Sequence, residues 1–333
     1  MKRLLLIIIY SGLSSLLFGQ ASVPKEYYVF SDKADSLYKI KDYKNAAFNY
    51  SKAFESFGWK GILDDRFKAA CCWALSGNID SSFLNLDRIV NIGKYSNYFK
   101  VIDEPALNSL RNDVRWNGLI ERIKQNRDND LSNIKLPSGN YIENINKSLI
   151  NLLDSLVYED QKWRNYAVKF NNKELGDDTI SMKTISYNMI RTDSLNYFQC
   201  LKIFSQYGFP DYLLVGTKGS FNFWLLVQHQ DKQPEFQNSV CEMMKIAVDE
   251  GRADNSNYAY LADRVKINSH QLQIYGTQMT MNKDLTSYEP LPLIEPERLN
   301  ERRKSMGLST IEEYIETMNS NFHGILKKKE INH

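Results

Sequence analysis

His229 is the residue best placed to do chemistry in this sequence. It follows the apolar run FNFWLLV and has Gln228 before it and Asp231 two residues after it. An imidazole beside a carboxylate can be held in one tautomer and raised in pKa, which suits a general base. The same His can instead cap a helix C-terminus, where a cation is favoured. Asp263 and Arg264 form a second pair, next to Tyr260 and Leu261. They can serve as a carboxylate base and a two-pronged grip on a substrate carboxylate or phosphate, or as an ion pair fastening one helix to its neighbours. Tyr275, Gly276, Thr277 and Gln278 follow. Tyr275 and Gln278 can line a pocket or satisfy buried main-chain groups. Gly216, Thr217, Lys218, Gly219 and Ser220 precede an apolar helix. A helix N-terminus of this kind can cradle an anion, although Lys does not follow the last Gly as a nucleotide loop requires. An ordinary helix cap is the simpler reading.

Other chemistries lack their parts. His270 falls at a polar turn, His323 and His333 lie near the C-terminus, and no second His stands near His229 to build a zinc site. There is no Gly-x-Ser-x-Gly elbow and no dinucleotide fingerprint. Cys71, Cys72, Cys200 and Cys241 fit no zinc spacing, and the adjacent pair Cys71 and Cys72 points to different faces of one helix. Buried free thiols are expected, and neither metal nor cofactor.

These residues need elements to position them. Residues 141–170 carry a helical stripe of Leu149, Leu153, Leu156 and Val157. Extending the stripe by three or four residues reaches Asp160, Gln161 and Arg164. Polar groups on a core-facing stripe must find partners, since an orphaned buried group costs about 1–3 kcal/mol. A second helix is predicted after Asp193, with Tyr197, Phe198, Leu201 and Phe204 inward and Gly208 as its stop. A third is predicted after Ser220, and a fourth from Pro234 with Phe236, Val240, Met243, Met244 and Ala247 on one face, ending at Gly251. A fifth covers 258–264. The stretch VKINSHQLQIYGTQMTM alternates apolar and polar residues about Asn268 and Ser269, which predicts a small β-hairpin. Ser309 and Glu312 are spaced as a capping box for a last helix.

Upstream, DSLYKIKDYKNAAFNYSKAFE and FKAACCWALSGNIDSSFLNLDRIV share a plan of small residues, Ala46 and Ala47 in one and Ala69 and Ala70 in the other, among aromatic ones. EPALNSLRNDVRWNGLIERI reads as a truncated closing unit. These segments resemble tetratricopeptide repeats, which implies paired antiparallel helices and a protein partner. Farther on, Asp160, Gln161 and Arg164, the QHQD run with its following FQ, AYLADR and YGTQ resemble an uncharacterised bacterial domain of unknown function. That resemblance spans roughly residues 145–315 and implies no reaction. The expected architecture is mainly α. Helical repeats occupy 24–125, a polar linker 126–140, and a mostly helical domain with a small β-hairpin 141–320.

Lys2 and Arg3, the apolar run from Leu4 to Leu17, and the small residues Gly19 and Ala21 form the pattern of a cleavable secretory leader over residues 1–20. The expected destination is periplasmic or extracellular, with no span left in the membrane. Removing that leader takes two basic residues from the 42 and none of the 40 acidic ones, leaving the two balanced. A balanced chain is no bulk partner for nucleic acid or anionic membrane. Two functions fit. In the first, a binding or scaffold protein uses its repeats for a protein partner and its C-terminal domain for a small ligand held by Gln161, Arg164, Gln228, Arg264, Tyr275 and Gln278. In the second, a hydrolase or transferase works through His229, Asp231 and Asp263 with Arg264. The first leads, because no known catalytic motif is present.

Overall fold

The computed structural model describes residues 23–139, 142–172, 180–284 and 286–320. The leader expected over 1–20, His323 and His333 lie outside the described residues. The fold is mainly helical, and among the described residues no helix is long and apolar enough to cross a membrane. Two compact units divide between Asn133 and Ile134.

The N-terminal unit opens with two helical hairpins, α1 (Lys25–Lys39) with α2 (Tyr43–Ser56) and α3 (Leu63–Leu75) with α4 (Ile79–Asn91). Asp42 caps α2 through the Asn45 N–H and Asn78 caps α4 through the Ser81 N–H, so the second hairpin repeats the first 36 residues on. Ala46, Ala47 and Ala53 are fully buried on α2 and Ala69 and Ala70 on α3, which lets the helix backbones approach closely. Helix α3 is buried on two sides. Ala69, Cys72 and Trp73 join the cluster built on α1 and α2, whereas Phe67, Ala70, Cys71 and Ala74 join the one built on α4 and the helices after it. The two cysteines do point to different faces. After α5 (Tyr98–Ile102) and a 3-10 turn (Pro105–Leu110), α6 (Arg115–Ser132) closes the unit.

The linker expected at 126–140 is a correction. Helix α6 runs on to Ser132. Asp128, Asn129 and Asp130 lie on its surface, Leu131 is buried, and Asn126 donates to the Val90 and Tyr95 carbonyls at 2.9 and 3.1 Å. The second unit accordingly starts at Ile134, before the boundary expected near residue 140.

The C-terminal unit holds α7 (Lys147–Asn171), α8 (Met182–Tyr207), α9 (Tyr212–Gln228), α10 (Pro234–Asp249) and α11 (Asn255–Asn268). Helix α9 is its axis, packed against each of the other four. The run from Asn222 to Gln228 is buried on every side, as a helix apolar all round must be. Phe223, Leu226 and Val227 are fully buried, each contributing about 1.5–3 kcal/mol of transfer free energy. Gly216, with φ 68° and ψ 176°, kinks α9 and marks where its apolar part begins. Gly219 and Ser220, expected ahead of this helix, are thus inside it. A side chain at Gly219 would collide with Val215, so the glycine permits close packing rather than anion binding.

Helix α8 starts eleven residues before Asp193, at Met182, capped by Ser181. Its buried face is Ile185, Asn196, Cys200 and Ile203, and Phe198, expected inward, is exposed. The β-hairpin about Asn268 and Ser269 is also corrected. Helix α11 continues to Asn268, and the two-stranded antiparallel sheet is β1 (Met279–Met281) with β2 (Tyr288–Pro290), Met279 opposite Pro290. A short α12 (Leu299–Ser305) precedes the last described helix, α13, over 311–320. Its capping box is Thr310 with Glu313, one residue beyond the expected pair; each side chain accepts the other's N–H, at 3.3 and 3.0 Å.

Candidate functional site

Helices α7 and α9 run parallel and meet through two polar rungs, six residues apart on α7 and seven on α9. In the first, Asp154 accepts from Asn222 Nδ2 at 2.6 Å and from Lys218 Nζ at 3.1 Å. In the second, Asp160 Oδ1 lies 3.0 Å from His229 Nδ1. Asp160 is wholly buried, and the expectation that the apolar stripe of α7 carries polar groups inward holds for it. Gln161 Nε2 donates to Asp160 Oδ2 at 2.7 Å. Arg164 reaches Asp160 Oδ1 with Nη1 at 3.0 Å and Asp193 Oδ1, from α8, with Nη2 at 2.9 Å. Three helices thus converge on one cluster: Asp160, Gln161 and Arg164 from α7, Asp193 from α8, and His229 at the end of α9.

Burial pushes the Asp160 carboxyl up. The His229 charge and its hydrogen bond, with Arg164 and Gln161, outweigh that and hold it below the ordinary carboxylate value. Burial likewise raises Asp193, where Arg164 and, more weakly, His229 oppose it and the Asp160 charge adds to it, so its carboxyl stays above the usual range. Asp160 is therefore an ionised, acceptor-only group, and His229 Nδ1 donates to it. In the neutral ring that leaves Nε2 a bare acceptor. Nε2 has no hydrogen-bond partner among the described residues, and the His229 side chain keeps 16% of its surface exposed.

The other half of the expected site does something else. Asp231 does not pair with His229. It accepts from Arg264 Nη1 at 2.9 Å and Asn268 Nδ2 at 3.1 Å, and those contacts hold its carboxyl down against its burial. Arg264 Nη1 also donates to the Gln228 carbonyl at 3.1 Å. Gln230 Nε2 and Gln237 Nε2 donate to the Leu226 and Val227 carbonyls, at 3.2 and 2.9 Å. Side chains thus serve three carbonyls in the last turn of a buried helix, where helical partners run out. Gln228 is itself buried, with Nε2 unpaired.

Asp263 is fully buried and holds a loop. Its Oδ1 accepts the Ile274 and Tyr275 N–H groups at 2.7 and 2.9 Å, and its Oδ2 the Thr277 N–H and hydroxyl at 2.8 and 2.9 Å. Gln273 continues the pattern: Oε1 accepts the Gln278 N–H, and Nε2 donates to the Gln278 and Leu291 carbonyls. Arg303, nearly inaccessible, donates to the Tyr275 carbonyl at 2.7 Å. Gln278 Nε2 donates to the Thr277 hydroxyl at 3.2 Å. Tyr275 and Gln278 are buried, and Tyr275 packs edge-on to Tyr258. Asp263, Tyr275 and Gln278 therefore form a lock on residues 273–278, and they share no partner with the His229 cluster.

Of the expected site residues, the structure brings Gln161, Arg164 and His229 together, pairs Arg264 with Asp231 and with the Gln228 carbonyl, and gives Asp263, Tyr275 and Gln278 to the loop. Sequence reasoning missed two carboxylates, Asp160 as the partner of His229 and Asp193 as a member of the cluster. Asp160 carried a signal in its place on the apolar stripe; Asp193 was read as the start of a helix it actually lies within. Asp160, Asp193 and His229 bring ligand atoms within 4.8 Å of one another, a set able to hold a metal ion. Arg164 lies against both carboxylates, so a metal ion there would meet one positive charge already in place.

No curated protein and no solved structure matches the chain. Residues 160–328 match a family of unknown function, DUF6624. The match opens on Asp160 and takes in the whole His229 cluster and the 273–278 lock, and on that evidence the chain belongs to DUF6624.

Proposed function

We propose that the C-terminal unit is an acid–base catalyst of the hydrolase or transferase class with His229 as its working group. The observation that carries this is Asp160, a wholly buried carboxylate spent on His229 Nδ1 while Nε2 is left open at the end of α9. A buried charge is costly unless it is paired, and this one fixes the tautomer a general base needs. Nε2 takes the proton of a bound nucleophile, water or a substrate X–H, as that atom bonds to the electrophile. It then returns the proton to the leaving group. Gln161 and Arg164 act on Asp160, as positioning residues. In this reading Asp231, Asp263 and Arg264 build the frame.

The test is two measurements on one substitution, His229→Ala. If His229 works in catalysis, the variant melts close to the parent and loses turnover across a panel of ester, phosphoester, glycoside and amide substrates. If His229 is a structural cap, the variant loses about 1–3 kcal/mol of stability and no activity separates it from the parent. That second result overturns the reading.

The N-terminal unit is the protein-docking part of the same proposal, with the chain exported to the periplasm or cell exterior. Two hairpins in tandem with alanine-lined contacts support a tetratricopeptide-like reading, and Tyr28, Phe48 and Trp59 are exposed aromatics on that unit. Tyr28→Ala with Trp59→Ala should release a partner captured from envelope extract by the full chain. Mass spectrometry should find a mature N-terminus near Ala21; intact Met1 in a cytosolic fraction would end the export reading.

A further inference from the structure

We propose that the ligand of the His229 cluster is a small molecule with a protonated amine, held between Asp193 and His229; this rests on the acid–base reading and names its substrate class. The argument is an inventory of open atoms. Asp193 Oδ2 and His229 Nε2 accept no hydrogen bond among the described residues, and neither is a buried atom. Their side chains keep 26% and 16% of their surface. With Nδ1 donating to Asp160, Nε2 of the neutral ring is an acceptor, as is the free carboxylate oxygen. One ligand atom of each residue lies within 4.8 Å of the other's, so the two side chains meet closely enough for one small cation, with its three N–H groups, to contact both.

Charge points the same way. Asp160 and Asp193 carry two negative charges against the one of Arg164, so a neutral imidazole leaves one charge uncompensated. Burial and the neighbouring Asp160 hold the Asp193 carboxyl above its ordinary value despite Arg164 and His229. A carboxylate or phosphate ligand would add negative charge and meet only acceptors at these two atoms. Arg164 has both terminal nitrogens on Asp160 and Asp193, and Arg264 turns its Nη1 to Asp231 and the Gln228 carbonyl. Three donors without acceptors, Asn196 Nδ2, Gln228 Nε2 and Arg264 Nε, are buried out of a ligand's reach. A substrate carboxylate gripped by arginine, as the sequence suggested, is thus replaced by an amine gripped by a carboxylate. Once bound, the ammonium can pass one proton to Nε2, giving a neutral amine and an imidazolium paired with Asp160.

The test follows the histidine side-chain nitrogens of the full chain by ¹⁵N NMR, with His229→Ala to assign the signal. Ethylammonium chloride, sodium acetate, sodium phosphate and zinc chloride are added separately at constant pH and ionic strength. Ethylammonium should shift His229 Nε2 saturably, acetate and phosphate should not, and Asp193→Asn should weaken the ethylammonium response at least tenfold. Saturation by acetate, phosphate or zinc in place of ethylammonium overturns the proposal, as does an Nε2 signal indifferent to ethylammonium. The order of the four arms on the parent protein decides the matter even if Asp193→Asn does not fold. The ligand-free spectrum tests the parent reading separately: a neutral ring protonated on Nδ1 upholds the general base whichever probe binds.

Discussion

Replacing Asp263 should unlock residues 273–278 and leave the His229 cluster intact. In Asp263→Ala the N–H groups of Tyr275 and Thr277 lose their acceptor inside the protein, whereas Ile274 N is part-buried and the Thr277 hydroxyl can turn elsewhere. Two orphaned buried donors at about 1–3 kcal/mol each put the gross loss near 4 kcal/mol. Burial raises the Asp263 carboxyl against the pull of its four hydrogen bonds, so removing a desolvated charge returns part of that. The net expectation is about 3 kcal/mol. Asp263→Asn keeps one carbonyl oxygen for Ile274 and Tyr275 but turns an NH₂ toward the Thr277 N–H, orphaning one donor, for about 2 kcal/mol. Urea unfolding of the full chain gives the totals. Because the chain has two compact units, amide exchange at Tyr275 and Thr277 supplies the local readout, and both should lose protection. The His229 ¹⁵N spectrum should not change. An Ala variant that loses less than about 1 kcal/mol with both amides still protected would refute the lock. A stable Asn variant with an altered His229 signal would return Asp263 to the active site.

Three further outcomes follow from the geometry. Asp160→Asn should cost about 2–4 kcal/mol at neutral pH by breaking a buried charge network. The folded Asp160 carboxyl lies below its unfolded value, so its stabilisation is present above the ordinary carboxylate range and lost as pH falls through the lowered value. The gap between parent and variant in urea unfolding should therefore narrow in acid, and a constant gap would show that Asp160 is not ionised in the fold. Gly216→Ala forces a side chain onto φ 68° and ψ 176° and places its Cβ 2.7 Å from Ile134 Cγ2. The backbone strain alone predicts a loss of about 1–3 kcal/mol in the same assay, and a neutral result would mean that the kink relaxes. Burial pushes the Cys72, Cys200 and Cys241 thiols up to about 12 and raises Cys71 as well. A thiol reagent should thus find none of the four in the native protein and all of them in urea.

What the sequence displayed and what it hid differ in a physical way. The apolar run before His229 showed a buried helix, because side-chain type reports burial directly, and the stripe on α7 led to Asp160 for the same reason. Pairing was harder. Asp231 stands two residues from His229, yet the carboxylate that reaches the ring comes from 69 positions away. Residues two apart at a helix end do not face each other, whereas parallel helices in register bring 160 to 229 and 154 to 222. Asp263 misled for another reason. Three of its four donors belong to the main chain, and every residue but proline carries such an N–H. A loop that offers them looks like any other in sequence. Asp263 beside Arg264 thus imitated a base with its anion grip, although one fastens a loop and the other caps a helix. The rule that a buried polar group must meet a partner was sound; what sequence could not supply was whether that partner is a side chain, a ligand or the backbone. At His229 the structure answers for Nδ1 and gives Nε2 no partner among the described residues; in the proposal made above, a donor ligand fills that place.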